Sequence, residues 1–280
     1  ANVEDTELGV QEYAISELGV DTVELKWGQG AKDIGGEVKI GDLKKAQLLK
    51  KRVFLKTGAY RPADLARAVK FGAKAEIDLL TVDGAGGGTG MSPWRMMNEW
   101  GIPPVEIFSL LYKYLDGLAQ KGEYVPDIAI AGGFTLEDQI FKGLALGAPY
   151  FKLIGMARAP IAAAMVGKTI GKCIAEEEEV PVYIKQFGDT VEEIFVTAPD
   201  LKRKFGKRFD EIPTGAIGLY TYFQRLAQGQ RQLMCGSRKF ALEYITRDDI
   251  AALTKESAEI SGISYVMDAD RDEVEKILSG

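Results

Sequence analysis

The stretch Glu76–Pro93, EIDLLTVDGAGGGTGMSP, decides how the chain is read. Ile77 to Val82 is leucine-rich and β-branched, with the length and composition of a strand buried in a parallel sheet. Asp83 follows it, and then Gly84, Gly86, Gly87, Gly88 and Gly90 crowd into seven residues. Glycine at that density serves either positive φ or close approach of backbone to a ligand. A carboxylate and a bare-backbone loop at the end of a buried strand mark the usual active-site position of an α/β barrel. The bland alternative is a surface turn; the strand before the loop and the Ser92-Pro93 stop behind it favour an ordered loop.

Working outward, the chain alternates between strand and helix patterns. Strands are expected at 22–27, 53–56, 77–82, 127–131 and 150–154, with 105–111 ambiguous between strand and helix start. Helices are expected near 11–18, 42–51, 62–71 (closed by Gly72), on to about Gln120, from a Thr135 cap to Gly147, and at 161–174. One or two helical turns are expected at 93–100. About six such alternations imply parallel strands with crossover helices. The predicted fold is therefore α/β, a (β/α)8 TIM-type barrel over 1–175. A helical extension over 176–280 follows, with helices near 191–195, 200–205, 218–226, 248–260 and 271–278 and caps at Thr246 and Asp270.

Composition narrows the function. The 280 residues carry a net charge of −6, and with no basic tract expected, nucleic acid is disfavoured as a partner. No apolar run approaches the ~18 residues of a membrane span. No secretory pattern is present, and the chain reads as cytoplasmic. Glu176 to Glu179 reads as a solvated helix end or loop. Cys173 and Cys235 lie far apart without a Cys-x-x-Cys, so no iron–sulfur cluster or zinc site is expected from this chain. There is no histidine, which removes the Ser-His-Asp triad and most imidazole–metal sites. Acid–base work falls to Asp, Glu, Lys, Tyr or a cofactor, and no metal site is expected.

Two further strand ends, AGGF at 131–134 and IGMARAP at 154–160, have the spacing of the barrel loops that bind a phosphate. Glycines let backbone N–H groups face the anion, and Arg158 can add a charge-assisted contact. Ordinary strand-to-helix punctuation is the alternative. Lys56 ends a strand, where it can form a Schiff base, pair with a carboxylate, face a flavin's N1–O2 edge, or simply be solvated. Glu24 and Lys26 alternate with Val23 and Leu25, so both can face the barrel interior. Gln29 and Lys32 in GQGAK are placed for polar contacts.

These segments together carry a resemblance. VELKWGQGAKDIGGEV, LKTGAYRPADLA, IDLLTVDGAGGGTGMSPWRMMNEWGIP, PDIAIAGGF and ALGAPYFKLIGMARA resemble the FMN-binding synthase domain of glutamate synthase. They are most similar to stand-alone FMN-binding glutamate synthase-like proteins. The tail segments FGKRFDEIPTGAIGLYTYFQRL, YITRDDIAALT and AEISGISYVMDA share the resemblance, so it covers almost the whole chain. It implies FMN at the C-terminal face of the barrel and reductive amination of 2-oxoglutarate with ammonia to L-glutamate. By that resemblance Lys56 meets the flavin N1–O2 edge and Gln29 the flavin ring. Gly132, Gly133, Gly155, Met156 and Arg158 hold the phosphate end. Asp83, Gly87, Gly88 and Thr89 line the substrate side, with Glu24, Lys26 and Lys32 as candidates for the keto-acid carboxylates and ammonia.

The chain departs from the full-length enzymes in three ways. Cys173 alone stands where they carry a cluster of cysteines for a three-iron centre. Ala1 is not a catalytic N-terminal cysteine, so ammonia is expected from solution or a separate glutaminase chain, and electrons from a ferredoxin- or NADPH-linked partner. The resemblance also places the family's first two strands before Ala1. The competing readings are a flavin-free barrel enzyme that uses Lys56 on a phosphorylated small molecule, and a non-catalytic flavoprotein subunit.

Overall fold

The computed structural model describes residues 8–26, 52–58, 61–85, 99, 101–176 and 178–280, with Lys26 known by its backbone alone. The expected GQGAK loop, the basic helix at 42–51 and the turns at 93–100, apart from Glu99, lie outside the described residues. Helix α1 (Val10–Ser16) precedes strand β1 (Thr22–Lys26). Then come β2 (Arg52–Gly58), α2 (Pro62–Ala75), β3 (Leu79–Asp83), α3 (Pro104–Ala119), β4 (Asp127–Ala131), α4 (Glu137–Leu146) and β5 (Phe151–Gly155).

The five strands are all parallel and stand in the order β1-β2-β3-β4-β5. A doubly wound sheet reverses its order at a switch point. This one never does, so right-handed crossovers carry the described helices between β2 and β5 to the same face, as in the wall of a TIM-type barrel. Val53, Leu55, Leu80, Val82, Ile128 and Ile130 are buried on the helix-facing side. The described residues hold five strands rather than six, because the ambiguous segment 105–111 is helical. Pro103-Pro104 opens α3, and Ile107, Phe108, Leu111, Leu115 and Leu118 form its buried stripe at helical spacing.

Helix α2 runs one turn past Gly72, which lies on its buried stripe with Leu65, Ala68, Val69 and Ala73. It stops at Glu76, which takes a left-handed conformation (φ 52°) while the Ile77 N–H donates to the Gly72 carbonyl at 3.2 Å. That is the glycine-type helix stop carried by a glutamate. Ahead of α4, the Gln139 side chain receives the N–H groups of Thr135 and Leu136, at 2.8 and 3.1 Å.

The chain divides into two compact units. One comprises residues 1–133, 141–155 and 239–280, the other 134–140 and 156–238. Position 175, where the sequence reading put its boundary, falls inside the second unit. That unit contains α5 (Arg158–Ala175), α6 (Val182–Lys185), α7 (Val191–Ile194), α8 (Ala198–Phe205), a 3-10 segment (Gly206–Glu211) and the long α9 (Thr214–Gly236). Helices α5 and α9 touch along small residues: a Cβ at Gly218 would stand 2.9 Å from the Ala163 carbonyl. Ile170, Phe195, Ala198, Leu201, Phe209 and Ile217 form the unit's core.

The last part of the first unit carries short 3-10 turns at Leu242–Tyr244 and Arg247–Asp249, then α10 (Lys255–Ser261) and α11 (Arg271–Ser279). The helix expected over 248–260 starts late, because Thr246 and Asp249 cap only a 3-10 turn. Ala252 then runs extended to bridge Tyr265, and Thr254 caps α10. Arg247 ties this segment down. Its guanidinium donates to the Leu146 carbonyl and, at 2.6 Å, to the Ser261 carbonyl, and it lies 3.8 Å from the Tyr112 ring centroid. Burial lowers its pKa.

Charge-assisted donation to two carbonyls and a stacked ring make Arg247 a stability residue. Arg247→Ala is expected to cost about 2–4 kcal/mol in denaturant unfolding, with Arg247→Lys recovering only part of it. A second expectation concerns Tyr150, whose hydroxyl donates to Asp116 at 3.0 Å. Burial first, and then that hydrogen bond, push its pKa up to about 12 from 10.0. A raised folded-state value stabilises below the unfolded value and is lost as pH climbs through the folded one. Stability should therefore fall between pH 10 and about 12, and Tyr150→Phe should flatten that slope.

Candidate active site

Alternation along the strands sorts the site residues. In β2, Val53, Leu55 and Thr57 are buried toward the helices while Phe54 and Lys56 point the other way. Register then brings matching positions together: Lys26 beside Lys56, Lys56 beside Thr81, and Gly58 beside Asp83. At the C-terminal edge Lys56 Nζ lies 3.5 Å from Asp83 Oδ2, with the lysine side chain 29% exposed and the aspartate 9%. Thr81 donates from Oγ1 to Glu24 Oε2 at 3.3 Å. Glu24, Lys56, Thr81 and Asp83 thus share one face of the sheet. Thr81 was missed in the sequence reading, although its place two residues before Asp83 in TVD carried the signal.

The loop that leaves β3 is fixed at its root. Gly84 N–H donates to the Ala131 carbonyl and Ala85 N–H to the Ile102 carbonyl, both at 2.8 Å. Gly132 and Gly133 end β4 with φ of 126° and 82°. A Cβ on Gly132 would stand 3.0 Å from Gly84 N, whereas among the described residues no atom beyond its chain neighbours lies within 4 Å of the corresponding position on Gly133. Ala131 pairs with Gly155, so the ends of β3, β4 and β5 meet at one edge. Gln29, Lys32, Gly87, Gly88 and Thr89 lie outside the described residues. Met156 and Arg158 belong to the second unit, where Arg158 is the first residue of α5.

Chemically, the edge offers a half-exposed ammonium, a nearly buried carboxylate that orients it, and a glycine turn open on one side. It can hold an anionic or electron-rich group at Lys56. A singly wound parallel α/β sheet with such an edge has the site layout of α/β-barrel enzymes. Residues 37–176, half of the chain, match the family model described as a conserved region in glutamate synthase. The chain belongs to that family.

Among solved structures, the N-acetylneuraminate lyase of Mycoplasma synoviae is similar at 11% identity and a TM-score of 0.34, covering 92% of this chain and 91% of that one. A monomeric dihydrodipicolinate synthase variant is similar at 10% identity and a TM-score of 0.34, covering 91% and 89%. Likenesses this distant carry no argument about the site. No curated protein matches the chain.

The turn at the end of β4 yields a test. Gly132→Ala places a methyl against the Gly84 backbone at a φ that side chains avoid, and is expected to cost about 1–3 kcal/mol in chemical denaturation.

Proposed function

We propose that the chain is an FMN-dependent oxidoreductase of the glutamate synthase type. It would convert 2-oxoglutarate and ammonia to L-glutamate by reducing the imine that the two form with loss of water. The observation that carries this reading is the Lys56–Asp83 pair beside the Gly132-Gly133 turn, in a chain of this family. The residues fit the cofactor. The open side of Gly133 suits close approach of an anion to the backbone, and Lys56 presents positive charge where a flavin accumulates negative charge on reduction.

Lys56 would hold the N1–O2 edge of FMN, whose reduced form would supply the hydride, and Asp83 keeps the lysine aimed by pairing with it. Thr81 holds the Glu24 carboxylate on the same face, where Glu24 would position the polar ends of the keto acid and ammonia. Electrons come from a protein or NADPH-linked donor.

The test is the spectrum of the purified protein, with heat release and identification of any chromophore. Released FMN is expected, and Lys56→Ala should weaken FMN binding roughly 30- to 150-fold, the loss of about 2–3 kcal/mol for one charge-assisted contact. A colourless protein that takes up no added FMN would overturn the reading, the more so if borohydride traps a carbonyl compound on Lys56.

A further inference from the structure

Across 202–208 the chain reads KRKFGKR, five cations in seven residues of a protein whose net charge is −6. This corrects the expectation that the chain has no basic tract. The segment spans the end of α8 and the 3-10 segment after it, and every residue from Lys202 to Arg208 is exposed. Its geometry follows from the core: Ala198, Leu201 and Phe209 face inward, so the residues between Leu201 and Phe209 turn outward.

Three of the five cations are balanced. Lys202 pairs with Glu192 at 2.5 Å, Arg203 with Asp200, and Arg208 with Glu211 at 4.0 Å. Among the described residues Lys204 and Lys207 form no ion pair, and Lys204 lies 5.6 Å over the ring of Phe205, which is 38% exposed. The patch is therefore two free ammonium groups beside an exposed aromatic ring, rimmed by Glu192, Asp200, Asp210 and Glu211.

We propose that this face docks the acidic surface of a partner protein. The free cations and the ring supply charge steering and an apolar anchor, the usual composition of a small protein interface. The rim decides against a polyanion. A nucleic-acid backbone or an anionic membrane presents a continuous sheet of negative charge, which the four carboxylates and the negative bulk of the molecule repel. A protein surface presents separate carboxylates that fit between them. The inference uses no residue of the candidate active site, so it stands or falls independently of the proposed reaction.

The test compares the whole protein with K204E/K207E and with K113E/K121E. The second pair removes the same charge at exposed positions elsewhere. The probes are a labelled acidic peptide containing glutamates and one leucine, heparin, and phosphatidylserine vesicles. Peptide affinity is expected to fall at least about tenfold in K204E/K207E only, and to weaken as ionic strength rises from about 0.05 to about 0.3 M. An unchanged melting temperature shows that folding is intact. Equal losses in both double variants, or heparin or vesicles binding through Lys204 and Lys207 more tightly than the peptide, would overturn the proposal.

Discussion

The candidate site exists because five parallel strands hold one register. Parallel partners at matched positions point to the same side of a sheet, and a slip of one residue sends every side chain to the other face. With Lys56 beside Thr81 and Gly58 beside Asp83, the charged residues gather on one side while Leu55 and Val82 bury against helices. A one-place slip in β2 would turn the Lys56 ammonium toward the helices and take it from Asp83. Hydrophobic burial on one face thus fixes the electrostatics of the other, and the chemistry inherits its precision from the core.

Much of this was legible in the sequence, for identifiable reasons. Strands β2 to β5 are short apolar runs that end in, or run straight into, glycine or aspartate, and such runs admit few other structures. Lys56 and Asp83 were readable as strand-end residues. Their mutual distance was not, since it depends on which strands neighbour each other. Thr81 went unnoticed because threonine in a strand is ordinary until its partner is known. The sequence misled where a local signal served a different purpose. Gly72 looked like a helix stop but lies on a packed stripe, and Thr246 looked like the cap of a long helix but closes a single turn. In both places tertiary contacts override local preference.

The second unit shows the opposite dependence. Its helices hold together through the closeness of α5 and α9, where Gly218 lets two backbones approach, and through a small core around Leu201 and Phe209. Little there resembles a catalytic pattern, and the basic tract escaped attention because an overall charge of −6 averages it away. A local density of charge matters to a partner within a Debye length; the total does not.

The pinch between Ala85 and Ile102 has a consequence beyond anchoring. It brings the two ends of the excursion from β3 to α3 together, so the entropy of closing that excursion is met at its root and rises only slowly with its length. Residues between the two ends can then be exchanged, lengthened or shortened with little strain on the sheet. The sheet and its ion pair at Lys56 and Asp83 thus stay decoupled from changes of length confined to that one excursion.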